Sequence, residues 1–127
     1  MPRTLLVDDH KTLRCALRFG LSLIPELEVI GEAVDGVEAV LRAQELRPDL
    51  VVMDVNMPRT DGITATRRLR DKVPDAVVIV YSLQDDPRTK ELALEAGAVA
   101  FVAKTSGAQS LVDEILRSSC THGARAC

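Results

Sequence analysis

Four stretches of the chain, Thr4-Leu-Leu-Val7, Leu50-Val-Val-Met53, Ala76-Val-Val-Ile-Val-Tyr81 and Val99-Ala-Phe-Val-Ala103, are apolar almost residue after residue. A strand with one wet face alternates, whereas a strand covered on both faces runs apolar throughout, so these four read as parallel strands inside a sheet sandwiched by helices. A fifth run, Glu28-Val-Ile-Gly-Glu-Ala-Val34, carries two glutamates and a central Gly31, and reads as the edge strand.

The segments between the strands have helical spacing. In the first, Leu13, Ala16, Leu17, Gly20, Leu21 and Ile24 recur at three- and four-residue intervals until Pro25 stops the pattern, and Cys15 is expected to pack within that helix. Val37, Val40 and Leu41 follow the Asp35-Gly36 turn; Ile63, Leu69 and Val73 precede Pro74; Leu111, Ile115 and Leu116 mark the last helix. Pro87 suits the first turn of a fourth helix and Gly97 its C-terminal cap. Five strand-helix units joined by right-handed crossovers predict a doubly wound α/β fold, a five-stranded parallel sheet of flavodoxin-like order 2-1-3-4-5 with five helices.

At 127 residues the chain has the size of one domain. Its net charge of -3 and its three aromatic residues give neither a basic field nor a stacking platform, which argues against nucleic-acid binding by these residues themselves. Cys15, Cys120 and Cys127 have no metal-ligand spacing and no disulfide framework, which fits a reducing cytoplasm. No signal peptide or membrane-spanning run is present in the sequence, so no membrane partner is expected.

In an open α/β sheet the functional crevice lies beyond the carboxyl ends of the strands, where strand order reverses. Strand one is followed by Asp8-Asp9, strand three by Asp54, strand four by Ser82 and strand five by Lys104. Taken singly, each has an ordinary reading: a helix cap for Asp8 or Asp9, a turn residue for Asp54 or Ser82, a solvated loop lysine for Lys104. Together they put three carboxylates at the switch point. Three such groups stay ionised only with compensating cations, and an all-oxygen set suits Mg2+ or Mn2+. An aspartate surrounded by metal, lysine and hydroxyl suits phosphoryl transfer, with Asp54 as acceptor.

These residues sit in the motifs "LLVDDH", "GEAVDGVEA", "PDLVVMDVNMPRTDG", "VIVYS" and "EAGAVAFVAK". In that order and spacing the sequence resembles the receiver domain of two-component response regulators, with a CheY-like fold, closest to the NarL/FixJ class. The resemblance implies a receiver over residues 1–117, with 118–127 a mobile tail or the start of an interdomain linker. It implies that Asp54 takes a phosphoryl group from a sensor histidine kinase, and that the chain is a signalling phosphoacceptor assisting its own phosphorylation and dephosphorylation rather than an enzyme.

By the same resemblance Asp9, Asp54 and the backbone carbonyl of Asn56 bind Mg2+, with Mn2+ able to substitute, and Asp8 acts through a metal-bound water. Lys104 pairs with the phosphoryl group, Ser82 hydrogen-bonds it, and Ser82 and Phe101 form the switch. Thr105 stands where many receivers have a cis proline, and a cis bond there would cost roughly 3 kcal/mol. Regulators of this class usually act on transcription through a C-terminal helix-turn-helix domain, which is absent from this chain; homodimerisation is permitted. The alternative is a stand-alone or phosphorylation-independent receiver working by protein contacts. A phosphatase of the haloacid-dehalogenase type is disfavoured, since its second Asp, the acid/base, would fall at Asn56.

Overall fold

The computed structural model describes residues 2–57 and 59–122. Five parallel strands, β1 (Arg3–Val7), β2 (Glu28–Ala33), β3 (Leu50–Met53), β4 (Val77–Ser82) and β5 (Ala100–Ala103), form one sheet of order β2-β1-β3-β4-β5. The helices are α1 (Lys11–Ser22), α2 (Gly36–Leu46), α3 (Gly62–Lys72), α4 (Pro87–Ala96) and α5 (Ala108–His122), with a short 3-10 turn at Lys104–Ser106. This is the expected flavodoxin-like order, with β2 at an edge.

The continuous apolar runs divide by the two-residue period of a strand. Leu5, Val7, Val51, Met53, Val78 and Val80 point to one face and join Ala39, Ala43, Ala65, Leu69 and Ala93 of α2, α3 and α4. Their neighbours Leu6, Leu50, Val52, Ile79, Tyr81 and Val102 point the other way, against Leu21 of α1 and Leu111 and Ile115 of α5. Both faces are dry, so the three central strands β1, β3 and β4 carry no acidic residue until the chain reaches the carboxyl tip.

Three helices start on an aspartate whose carboxylate accepts a backbone N–H: Asp35 from Glu38, Asp61 from Thr64 and Asp86 from Thr89. Pro87 occupies the first turn of α4, and Gly97 closes that helix at φ 118°, as expected. Several details differ from expectation. In α1 Leu21 is buried, but Leu13, Ala16 and Gly20 are exposed, and Cys15 is exposed rather than packed. Leu17, Leu21, Ile24, Val112 and Leu116 line an open cleft of about 480 Å3 between α1 and α5. Helix α5 reaches His122, so the last helix extends past 117; residues 123–127, with Cys127, lie outside the described residues. Among the described residues there is no cis peptide, so the Lys104–Thr105 bond is trans.

Candidate functional site

Each strand tip is held by its neighbour. The Asp54 N–H donates to Val7 O at 3.0 Å and the Asp8 N–H to Ala33 O at 3.1 Å, which continues the ladder to the first acidic residue of each strand. The parallel register pairs Val7 with both Ala33 and Met53, so Asp8 and Asp54 emerge side by side. The loop leaving β3 then folds back on the strand: the Gly62 N–H donates to Val55 O at 2.9 Å, and a Cβ on residue 62 would stand 1.9 Å from Asp54 O. Only glycine permits that approach. Pro58, in this loop, lies outside the described residues.

The structure brings together Asp8, Asp9, Asp54 and Lys104. Asp8 Oδ1 accepts from the His10 N–H at 2.9 Å, and Asp8 Oδ2 accepts from Lys104 Nζ at 2.7 Å. Lys104 Nζ also stands 3.7 Å from Asp54 Oδ1, which accepts from the Val55 N–H at 2.9 Å. The lysine side chain is only 8 % exposed, which rules out a solvated loop lysine. It lies 5.7 Å from the centroid of the Tyr81 ring, and burial pushes the Tyr81 hydroxyl above its ordinary value.

Burial raises the Asp54 carboxyl to about 6, with the Asp8 and Asp9 charges adding to the rise; Lys104 and the Val55 N–H oppose it without cancelling it. The single ammonium contacts two of the three carboxylates, Asp8 and Asp54, and the cluster carries surplus negative charge. Ligand atoms of Asp8, Asp9, His10 and Asp54 lie within 4.8 Å of one another. Mostly hard oxygen donors, short of positive charge and converging on one point, fit a divalent cation such as Mg2+.

The other expected site residues are Ser82, Phe101 and Asn56. Ser82 is fully buried, but its Oγ accepts from the Gln84 N–H at 3.0 Å, as a turn residue would. Gln84 Nε2 donates to Thr89 Oγ1, which in turn donates to Asp86 Oδ1, the N-cap of α4. Phe101 packs against the α2–α4 core with Lys90 Nζ 5.9 Å from its ring centroid. Asn56 is exposed in the loop after β3.

Two contributors were not anticipated. Arg14 donates from NH1 to the Asp8 carbonyl at 2.7 Å and from Nε to Glu32 at 2.7 Å. Burial of Glu32 works against its ionisation, but Arg14 and Arg18 together hold its carboxyl below the usual range, and the three bridge α1 to the edge strand. His10 occupies the N-cap position of α1 without a side-chain cap bond; its Nδ1 lies 3.1 Å from Asp9 Oδ1. Histidine directly after an acidic pair was the available signal.

A crevice at the tips of β1 and β3 in a 2-1-3-4-5 sheet is thus lined by three carboxylates and a buried lysine. The family described as "Response regulator receiver domain" matches residues 4–116, and the chain belongs to it. It is 42 % identical over 120 residues to the transcriptional regulatory protein LiaR of Bacillus subtilis, covering 94 % of this chain and 56 % of that protein. It is 49 % identical over 109 residues to protein-glutamate methylesterase/protein-glutamine glutaminase 4 of Myxococcus xanthus, covering 85 % of this chain and 31 % of that protein. The receiver domain of the putative response regulator NarL of Mycobacterium tuberculosis superposes with TM-score 0.88 at 30 % identity, covering 98 % of each chain.

These likenesses put the receiver in the NarL/FixJ-like class. The chain spans just under a third of one and just over half of the other of these two curated relatives. No helix among the described residues is long and apolar enough to cross a membrane.

Proposed function

We propose that Asp54 is the phosphoacceptor. An Asp54 carboxylate oxygen attacks the phosphorus of a phosphohistidine on a sensor kinase; the P–N bond breaks, its electron pair leaves on the imidazole, and an acyl phosphate remains on Asp54. The observation that carries this reading is the surplus of carboxylate over cation at the strand tips, centred on a buried aspartate whose carboxyl is raised to about 6. In this reading Asp9, Asp54 and the Asn56 carbonyl hold Mg2+ or Mn2+, with Asp8 acting through a metal-bound water. When bound, the ion offsets charge on the phosphoryl oxygens. Lys104, already 3.7 Å from Asp54, pairs with the group after transfer, giving up part of its contact with Asp8.

Ser82 and Phe101 are the proposed switch. Turning Ser82 Oγ toward a phosphoryl oxygen breaks its bond to the Gln84 N–H, and Gln84 connects through Thr89 to the cap of α4. Phosphorylation thus biases the packing of α4 and of Phe101 beneath it. The protein is read as a cytoplasmic signalling phosphoacceptor. Its output is transcription through a DNA-binding domain, supported by the 94 % coverage of this chain in the match to LiaR; the second reading, a methylesterase output, rests on the 49 % identity to the Myxococcus protein. For self-association, the open apolar surface is the α1–α5 cleft.

Intact mass after incubation with a small-molecule phosphodonor tests the central claim. Wild type gains one labile phosphoryl group, dependent on Mg2+, and Asp54→Ala gains none. With Mg2+ present the rate falls as pH drops, because the attacking group is the carboxylate, whose ionisation burial opposes. Absence of any adduct, or an adduct retained in Asp54→Ala, refutes the assignment and leaves a phosphorylation-independent interaction module.

A further inference from the structure

His10 is the one nitrogen donor in the group of potential ligands at the site. Its ring does not cap α1, and its side chain is 70 % exposed, so burial does not demand a partner. It turns to the carboxylates nonetheless, with Nδ1 3.1 Å from Asp9 Oδ1 and 3.4 Å from Asp8 Oδ1. Two neighbouring ligands on metal bonds of about 2.1 Å, set at right angles, are about 3.0 Å apart. The Asp9–His10 pair already has the spacing of one edge of an octahedral site.

We propose that His10, through Nδ1, is a ligand of the metal held by Asp9 and Asp54. It thereby tilts the site toward divalent first-row transition ions, Mn2+, Co2+, Ni2+ and Zn2+, relative to a site made of oxygen donors alone. Imidazole is a good donor for those ions, whereas Mg2+ gains little from exchanging a water for it. The inference rests on the metal-binding reading of the carboxylate cluster, and adds to it a preference among metals. Adjacent residues at the start of a helix supply both donors, so the pair is set by local backbone and needs no rearrangement of the sheet.

The test is a metal titration of the full chain in a His122→Ala background, which leaves His10 as the sole histidine of the two present. Calorimetric affinities for Co2+ and Mg2+ give a ratio, to be compared between this protein, its His10→Ala derivative and its Asp9→Ala derivative. Loss of His10 is expected to lower the Co2+/Mg2+ affinity ratio by roughly 10–100-fold, the range for losing a partner at a metal site. Electron spin-echo spectra of the Mn2+-loaded protein should show nitrogen-14 modulation that disappears in His10→Ala.

An unchanged ratio, or a spectrum without nitrogen coupling, overturns the role of His10. If Asp9→Ala still abolishes Mg2+ binding in that case, the carboxylate site stands and only the nitrogen ligand is lost. If Asp9→Ala leaves both metals bound as before, the metal does not sit at the strand tips and both readings fail. His10 carries no cap bond, and a thermal melt of His10→Ala matching its parent confirms that the comparison is between folded proteins.

Discussion

The two ends of the sheet are built from the same residue types and have opposite charge balance. At the amino end, the Arg3 guanidinium donates to the carbonyls of Leu46 and Arg47 at 2.9 and 2.7 Å, where α2 ends and its dipole is negative. The Arg3 N–H meets Asp49 Oδ2 at 2.9 Å, and the Asp49 N–H returns to Arg3 O. Every charge named there answers a local demand of the backbone. At the carboxyl end, three carboxylates cluster around a single ammonium that contacts Asp8 and Asp54, and burial, with the neighbouring carboxylate charges adding to it, raises the carboxyl of Asp54. The first arrangement finishes the fold, while the second keeps a demand open that only something from outside can meet.

That contrast can be broken at either end. The largest effect is expected where the loop at the carboxyl end crosses the strand tip. Gly62→Ala places a methyl 1.9 Å from the Asp54 carbonyl oxygen, and urea denaturation should show a loss on the order of 3–5 kcal/mol. A near-neutral result would show that the loop can lift without loosening Asp54.

Next comes the cost of charge at the tip. The folded Asp54 carboxyl, at about 6, lies above its ordinary 3.8, so ionising it opposes folding. The penalty is absent below about pH 4, grows between about pH 4 and 6, and is constant above. Asp54→Asn should therefore be more stable than wild type by roughly 2 kcal/mol at pH 7.5, with the gap closing toward pH 4. Mg2+ should narrow it from the other side by stabilising wild type alone. An equal gap at both pH values would mean that charge is not its cause.

The smallest effect belongs to the amino end. Arg3→Ala should cost about 1 kcal/mol, that of hydrogen bonds at a partly solvated helix end, and leave phosphorylation of Asp54 unchanged. A drop in phosphorylation would show that the two ends are coupled through β1.

Much of this was legible because a sheet buried on both faces leaves its polar residues one place to go. The runs ending at Val7, Met53 and Ala103 named the tips, and parallel register did the rest, setting Asp8, Asp54 and Lys104 together without any motif being needed. What stayed hidden depends on side-chain direction. Nothing in the local sequence says that Ser82 Oγ faces Gln84 rather than the crevice, or that the His10 ring turns from its helix to Asp9. Leu13, Ala16 and Gly20 of α1 misled in another way: their helical spacing is real, but among the described residues they are exposed. Helix α5 passes residue 117 because Ser118 is still buried against the domain, although its sequence carries no apolar repeat there.

The lysine and the carboxylate it binds are 96 residues apart, one after the first strand and the other after the last. A chain emerging from the ribosome therefore carries all three carboxylates long before it owns the ammonium that lets them coexist. Closing so long a loop is among the slower acts of folding, so the centre assembles when the last strand docks and not earlier. If Asp54 accepts phosphate as proposed, competence to be charged then certifies a finished domain: a truncated or half-folded copy has the aspartate but not the site, and cannot divert the signal.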